Sequence, residues 1–291
     1  MKIKCMICGL LKDESDEHII PKALGNEKLR TNKLCIDCNS KLGQFVDSPF
    51  VNRFDVALIR HSKKIQGQKG KVPFPLSKGT DNDGNTILLD KNFKPRYQPN
   101  IKPTKDGFNI LGNSKDEILA MGLKRLQRTT SSEKEIESFI QRVEAQEVKN
   151  TLPSIKFESP VDLNSSYIEF IKIAYEYIYD IIGDEYFNDS IAHRLRTELQ
   201  KSINERPINL NGLINDISES SSSTLKFIPG DHHFLLIVTN SYNKLFVSIF
   251  LFNGIYSHNI LVSNNASKYQ LKDKINNLVF VPIKKVELWS F

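Results

Sequence analysis

The chain has 291 residues, with 40 Lys and Arg against 34 Asp and Glu. No apolar stretch reaches about 18 residues, which excludes a transmembrane helix, and no apolar run of signal-peptide type follows Met1, so we expect a cytoplasmic protein with no membrane partner. With only 14 Gly and 12 Pro and no sustained heptad, collagen-like, coiled-coil and largely disordered chains are also excluded.

The positive charge is concentrated in the first quarter of the chain. Residues 1–75 carry 14 Lys and Arg and 8 Asp and Glu, which accounts for the whole net charge of +6. Between Val56 and Thr80 there is no acidic residue, but there are six basic ones: Arg60, Lys63, Lys64, Lys69, Lys71 and Lys78. This local excess favours a polyanionic partner, although a solvated loop has the same composition.

The four cysteines form two Cys-x-x-Cys pairs, Cys5 with Cys8 and Cys35 with Cys38. In a cytoplasmic protein, four paired thiols are more typical of a metal site than of disulfides. A tetrahedral zinc ion takes four thiolates at about 2.3 Å, and two short knuckles supply them. The spacing therefore predicts a structural zinc ion. Redox chemistry is the alternative, but neither pair lies in a βαβ pattern.

Reactive side chains lie between the two cysteine pairs and directly after the second pair. Residues 17–21, with the sequence Glu-His-Ile-Ile-Pro, predict a strand that ends at the proline, and residues 38–52 predict a short helix. The neutral imidazole of His18 can accept a proton from water near pH 7. The Glu17 carboxylate and the Asn39 amide oxygen are donors for a hard divalent cation. A base, a metal site and a basic surface are the parts that phosphodiester hydrolysis requires.

The order Cys-x2-Cys, Glu-His-Ile-Ile-Pro, Cys-x2-Cys-Asn-x-Lys-x-Gly resembles the zinc-knuckle branch of the HNH endonucleases, which have the ββα-metal fold. The resemblance covers roughly residues 3–50. It implies that His18 is the general base and that Glu17 and Asn39 hold a catalytic Mg²⁺ or Mn²⁺. It also implies an asparagine that orients the histidine through the intervening loop, for which Asn32 is the first candidate and Asn26 the second.

The resemblance further implies a bacterial enzyme whose partner is DNA, and some HNH proteins act in restriction and phage defence. Four basic residues are candidates for contacts to phosphate, although each also fits as an ordinary surface charge: Lys22, Lys41, Arg53 and Arg60. Two alternatives stay open. One is a non-catalytic zinc-containing nucleic-acid-binding or regulatory protein, and the other is an RNA endonuclease.

The predicted fold class is α+β, with an HNH module in residues 1–75 and an α+β accessory domain in residues 76–291. Capping boxes at Ser114 and Ser132 and two apolar patterns predict helices between about 114 and 203. A β-meander is predicted between about 224 and 291, with a hairpin turn at Asn253 and closing strands at 279–281 and 286–289. We expect the accessory domain to recognise substrate, to form a homodimer or to bind a regulatory protein.

Overall fold

The computed structural model describes residues 1–67, 69–105, 107–129, 132–146, 154–158, 162–216, 231–269, 271 and 278–284. It divides into two compact units. The first combines residues Met1–Pro73 with Val161–Phe291, and the second comprises Phe74–Pro160. The predicted closing strand at residues 286–289 and the start of the predicted meander near residue 224 lie outside the described residues.

The N-terminal part of the first unit is a three-stranded antiparallel sheet followed by helices, with the strand order β1-β2-β3. A π-helical turn at Gly43–Asp47 joins the first two helices, so that residues 36–51 follow one nearly continuous helical path. The elements are β1 (Lys2–Lys4), β2 (Leu11–His18), β3 (Arg30–Cys35), α1 (Ile36–Leu42), α2 (Ser48–Val51) and α3 (Phe54–Ser62).

The second unit contains two small antiparallel sheets and two amphipathic helices. As the sequence predicts, Ser114 Oγ accepts the Glu117 N–H at the start of one helix, and Ser132 forms a capping box with Glu135 at the start of the other. The elements are β4 (Lys78–Thr80), β5 (Thr86–Leu89), β6 (Pro95–Tyr97), β7 (Asn100–Thr104), β8 (Gly107–Leu111), α4 (Lys115–Arg128) and α5 (Glu133–Ala145).

The C-terminal part of the first unit places two helices against a five-stranded antiparallel sheet. The elements are α6 (Leu163–Ile182), α7 (Ser190–Ser202), β9 (Ile214–Asp216), β10 (His232–Thr239), β11 (Leu245–Leu251), β12 (Tyr256–Ser263) and β13 (Leu278–Pro282). The strand order is β13-β10-β11-β12-β9, and the meander at its centre is the one that the sequence predicts. Together with the N-terminal module, this arrangement confirms the predicted α+β class.

Helix α6 lies at the centre of the first unit. Asp162 caps its first turn, and Gly183, with φ of 87°, ends it. The helix packs on β11 and β12 on one side and on β3, α2 and the π-helical turn on another. Most of its residues are therefore buried, including the polar residues Glu169, Lys172 and Glu176. Their spacing places all three on one stripe of the helix surface.

This packing differs from the predicted domain division. The sequence separates a module of residues 1–75 from one accessory domain of residues 76–291, whereas the structure groups residues 161–291 with the N-terminal module around a shared hydrophobic core. The physical reason is helix α6, because its apolar surface is wide enough to pack on both the N-terminal module and the C-terminal sheet. Within the residues that the structure describes, no helix is long and apolar enough to cross a membrane.

The loop between β2 and β3 is bound to the C-terminal sheet. Gly25 has φ of 97°, its carbonyl accepts the Lys284 N–H at 2.9 Å, and a Cβ there would lie 2.6 Å from Ile283. His233 is fully buried beneath the same loop. Its Nδ1 accepts the Phe252 N–H and its Nε2 donates to the Leu24 carbonyl at 3.0 Å, so the ring is neutral and both nitrogens are satisfied.

Burial lowers the pKa of His233 to about 4, well below its value in an unfolded chain. Above about pH 6.5 the His233 ring is neutral in both the folded and the unfolded chain, so its burial carries no penalty. As the pH falls from 6.5 toward 4, the unfolded chain takes up a proton that the folded chain does not, and the free energy of unfolding decreases. Relative to His233→Gln, we expect the wild-type protein to lose about 2 kcal/mol more between pH 7 and pH 5. Urea unfolding of both proteins at the two pH values measures this difference. Equal losses at constant zinc content would contradict it.

Candidate nuclease site

The four cysteines form a metal-binding cluster at the edge of the N-terminal sheet. Their sulfur atoms all lie within 4.8 Å of one another, and the Cys8 and Cys35 sulfurs are 3.9 Å apart. A zinc ion with four bonds of about 2.3 Å needs sulfur atoms about 3.8 Å apart, so the arrangement fits tetrahedral coordination. The structure thus supports the predicted four-cysteine site, with Cys5 and Cys8 in the β1–β2 turn and Cys35 and Cys38 at the start of α1.

Contacts within the cluster shift the pKa values of its thiols in opposite directions. The Cys38 thiol and three backbone N–H groups lower the pKa of Cys5 to about 4, against the opposing effect of burial. The same contact with Cys5 raises the pKa of Cys38, and burial raises the pKa of Cys8.

The Tyr175 hydroxyl donates to the Met6 carbonyl at 2.6 Å, and the Gln200 amide donates to the Ile7 carbonyl at 2.6 Å. Helices α6 and α7, from the C-terminal part of the chain, therefore hydrogen-bond to the first knuckle, residues 5–8.

The loop between His18 and Arg30 is closed by Asn26. Its buried amide nitrogen donates to the Ile20 and Leu29 carbonyls, and its oxygen accepts from two backbone N–H groups at the end of the loop. Asn32, the first candidate for the orienting asparagine, is exposed on β3 and donates to Glu14 instead. The structure therefore assigns the loop-holding contacts to Asn26, the second candidate.

A cleft of about 770 Å³ opens beside this loop and brings together His18, Glu17 and Asn39. The π-helical turn contributes Gly43, Gln44 and Asp47 to its floor. Such turns are frequent at functional sites. The other lining residues are Pro21, Lys22, Ala23, Ser40, Ser48, Val51, Asn52, Arg60, Gly67, Lys69, Lys71 and Pro73.

His18 lies at the end of β2, where its imidazole meets a guanidinium. Its Nε2 lies 2.9 Å from Arg30 Nη2, and Arg30 also binds the Asp16 carboxylate. Because arginine can only donate, Nε2 is the acceptor and the proton of the neutral ring is on Nδ1. Burial, followed by the charge of Arg30, lowers the pKa of His18. The ring is thus neutral near pH 7, as a general base must be.

Glu17 faces the interior, where its carboxylate binds the ammonium of Lys172 on α6. The Glu17 Oε1 to Lys172 Nζ distance is 2.6 Å, and Glu17 is 6% exposed. Burial raises the pKa of Glu17, although the charge of Lys172 opposes this effect. Burial would lower the pKa of Lys172, but the surrounding carboxylates outweigh it and hold that pKa well above its usual range. The structure therefore adds an ion pair that the sequence does not indicate.

The cleft offers oxygen donors of the kind that a hard cation prefers. The Asn39 amide nitrogen donates to Ser15 Oγ at 3.1 Å, which leaves its oxygen for another partner. Asp47 Oδ1 is buried without a hydrogen bond among the described residues, although the Lys172 ammonium lies 2.9 Å away. Glu17, Asn39 and Asp47 thus offer oxygen donors of the type that a divalent ion prefers, although the Lys172 ammonium already binds both carboxylates. Only the four cysteines, among the described residues, form a group of three or more Cys, His, Asp or Glu ligands close enough to hold one.

The four basic residues that the sequence selects have different positions. Lys22 and Arg60 line the cleft, although Arg60 is buried and donates to the Val51 carbonyl. Lys41 lines a separate groove beside the zinc knuckle. Arg53 binds Asp55 and donates to Ser166 and to the Asp162 carbonyl, so its charge is used within the fold.

The structure also adds residues that sequence reasoning did not select for the site. Asp47, Lys69 and Lys71 line the cleft. Arg30 contacts His18, and Lys172 contacts Glu17 and Asp47. A sequence signal exists for some of them. Lys69 and Lys71 belong to the acid-free basic stretch, and Asp47 lies about two helical turns after Asn39. Lys172 has no local signal, because its partner Glu17 is 155 residues away.

The N-terminal module thus combines an antiparallel sheet, a following helix and a four-cysteine cluster beside a histidine-bearing cleft. Residues 5–55 match the family model described as HNH endonuclease. No curated protein and no solved structure matches the chain. Residues 5–55 are therefore similar to the HNH endonucleases, a family that generally uses a divalent metal ion.

We expect one zinc ion per chain, and we expect Cys35→Ser to lose it. Because the cluster joins the β1–β2 turn to α1, loss of zinc should lower Tm by at least about 10 °C. Elemental analysis and thermal unfolding measure both effects. The variant His18→Ala should keep its zinc and its Tm. The assignment would be contradicted if removal of zinc from the wild-type protein left its Tm equal to that of the zinc-loaded protein.

Proposed function

We propose that this protein is a metal-dependent endonuclease that hydrolyses phosphodiester bonds in DNA. The observation that carries the proposal is the cleft in which a neutral histidine, oxygen donors and basic side chains lie together. A phosphodiester needs a base for the attacking water and positive charge for its developing negative charge. His18 and the basic lining of the cleft are suited to these two requirements.

In this proposal, Glu17, Asn39 and Asp47 would hold a Mg²⁺ or Mn²⁺, which would supply Lewis-acid stabilisation of the negative charge that develops on the phosphate. His18 accepts the proton of the attacking water. Lys22, Lys69 and Lys71 bind neighbouring phosphates.

Arg30 has a defined part in the proposed reaction. It donates to the nitrogen of His18 that would otherwise be free to accept a proton. A phosphate oxygen is a stronger acceptor for guanidinium than a neutral imidazole is. We therefore expect substrate to draw Arg30 away from His18, which frees Nε2 when DNA is present.

A second candidate function is nucleic-acid binding without cleavage. The observations that favour it are the contacts already made by two proposed catalytic groups, His18 with Arg30 and Glu17 with Lys172. A binding module requires the zinc site and the basic residues, but it does not require the imidazole.

A plasmid-nicking assay with Mg²⁺ or Mn²⁺ distinguishes the two functions. We expect nicking by the wild-type protein, at least about 100-fold slower nicking by His18→Ala, and none with EDTA, because a general base contributes about two to four orders of magnitude. Equal nicking by His18→Ala would contradict the role of His18. If neither protein nicks DNA but both bind it, the binding function is favoured. An RNA substrate in the same assay tests the RNA endonuclease.

The basic wall of the cleft gives a separate prediction on binding. In the inactive His18→Ala background, Lys69→Gln with Lys71→Gln should weaken binding to duplex DNA and reduce the slope of log K against log salt by roughly 2. Fluorescence anisotropy at several salt concentrations measures the slope.

The matched control for this binding experiment is Lys244→Gln with Lys268→Gln, which removes two exposed charges from the C-terminal part of the chain. We expect the control to retain the slope of the His18→Ala parent. An equal reduction in both double variants would show that the contribution is general charge rather than contact in the cleft.

A role in restriction or phage defence is part of the proposal by analogy with other HNH proteins. A phage plaque assay on cells that express the wild-type protein or His18→Ala tests it. Protection by the wild-type protein alone would support the role.

A further inference from the structure

Lys172 is a completely buried ammonium beneath the candidate nuclease site. Its Nζ lies 2.6 Å from Glu17 Oε1, 2.9 Å from Asp47 Oδ1 and 3.8 Å from Glu176 Oε2. It also donates to the His18 carbonyl at 3.3 Å. A buried ammonium is stable only when charges and hydrogen bonds compensate for the loss of water. Lys172 and the floor of the cleft therefore hold each other in place.

Lys172 places a positive charge within 2.9 Å of both carboxylates that are assigned to the catalytic ion, and Glu176 on the same helix lies 3.8 Å from it. A divalent ion bound by Glu17 and Asp47 would be repelled by this resident ammonium. A phosphodiester in the cleft adds one negative charge, which offsets part of that repulsion.

We propose that Lys172 is a positioning residue that holds Glu17 and Asp47 at the cleft floor and, as a resident cation, weakens divalent-ion binding until a nucleic-acid phosphate enters. The inference rests on the proposed function, because it concerns the carboxylates assigned to the catalytic ion. It deepens that function by making DNA binding and metal binding mutually dependent.

The direct test is Mn²⁺ binding to the zinc-loaded, full-length protein without nucleic acid, followed by electron paramagnetic resonance. Even at the dielectric constant of water, a unit charge about 5 Å from a divalent ion changes its affinity about tenfold. We therefore expect Lys172→Met to bind Mn²⁺ at least about tenfold more tightly than the wild-type protein. Lys172→Arg keeps the charge and should bind Mn²⁺ as weakly as the wild-type protein does.

The matched control is Lys63→Met. It also removes one lysine from an ion pair, but its partner is Asp231 and it does not line the cleft. We expect its Mn²⁺ affinity to equal that of the wild-type protein. Adding Glu17→Gln to Lys172→Met should abolish the gain, which would locate the new affinity at the cleft floor.

Loss of Lys172 leaves several buried carboxyl groups without their cation, so a second comparison protects the test from misfolding. Glu176→Gln removes one of these groups, and Lys172→Met with Glu176→Gln then differs from Glu176→Gln only at Lys172. The same gain of at least about tenfold is expected within this pair. Zinc content and the unfolding transition verify that each variant is folded.

An unchanged or weaker Mn²⁺ affinity in a folded variant without Lys172 would overturn the inference, and so would an equal gain in Lys63→Met. This readout requires no cleavage. Absence of nicking would therefore contradict the proposed function without affecting the Mn²⁺ result, and absence of tighter binding would leave a positive nicking result intact.

Discussion

The ion pairs of Lys172 connect the two halves of the first compact unit. Helix α6 is buried on nearly every side, and the stripe that carries Lys172 is stable there because Glu17 and Asp47 of the N-terminal module meet it. The same contacts fix the floor of the cleft. The stability of the first unit and the geometry of the cleft thus depend on the same ion pairs. Loss of Lys172, or of the carboxylates that bind it, would therefore affect both.

The four-cysteine cluster and helices α6 and α7 both contact the same part of the N-terminal module. The cluster brings the β1–β2 turn against the start of α1, and Tyr175 and Gln200 hydrogen-bond to the backbone between Cys5 and Cys8 from α6 and α7. His233 and Lys284 bind the loop that follows His18 from the opposite sheet. A short module can build only a small core of its own, and here its buried apolar residues join the larger core of the first unit.

Much of this arrangement could be predicted from local sequence. The Cys-x-x-Cys pairs, the capping boxes and the Asn-Gly turn each act within a few residues, and the structure has a cluster of four cysteines, helices and a hairpin at these positions. The grouping of residues 161–291 with the N-terminal module could not be predicted, because it depends on the shape of α6 in three dimensions.

At the candidate site, too, the sequence predicts local features but not the contacts between residues that are distant in the chain. The chemistry of residues 17, 18 and 39 and the resemblance to the HNH motif select them, and the cleft brings them together. For the asparagine that holds the loop, the sequence favours Asn32 over Asn26. In the structure Asn26 makes these contacts, because it lies inside the loop and reaches backbone groups at both ends. Arg30 contacts His18 across a strand pair, and Lys172 reaches Glu17 from a distant helix. Such contacts have no periodic signal in the sequence.

The most direct test of the account is the anomalous scattering of Mn²⁺ in crystals of the inactive His18→Ala protein bound to a DNA duplex. The account predicts a manganese peak among Glu17, Asn39 and Asp47, with a DNA phosphate in contact with the same ion. A manganese peak elsewhere, or DNA that binds away from the cleft, would contradict the assignment of this cleft as the site of phosphodiester hydrolysis.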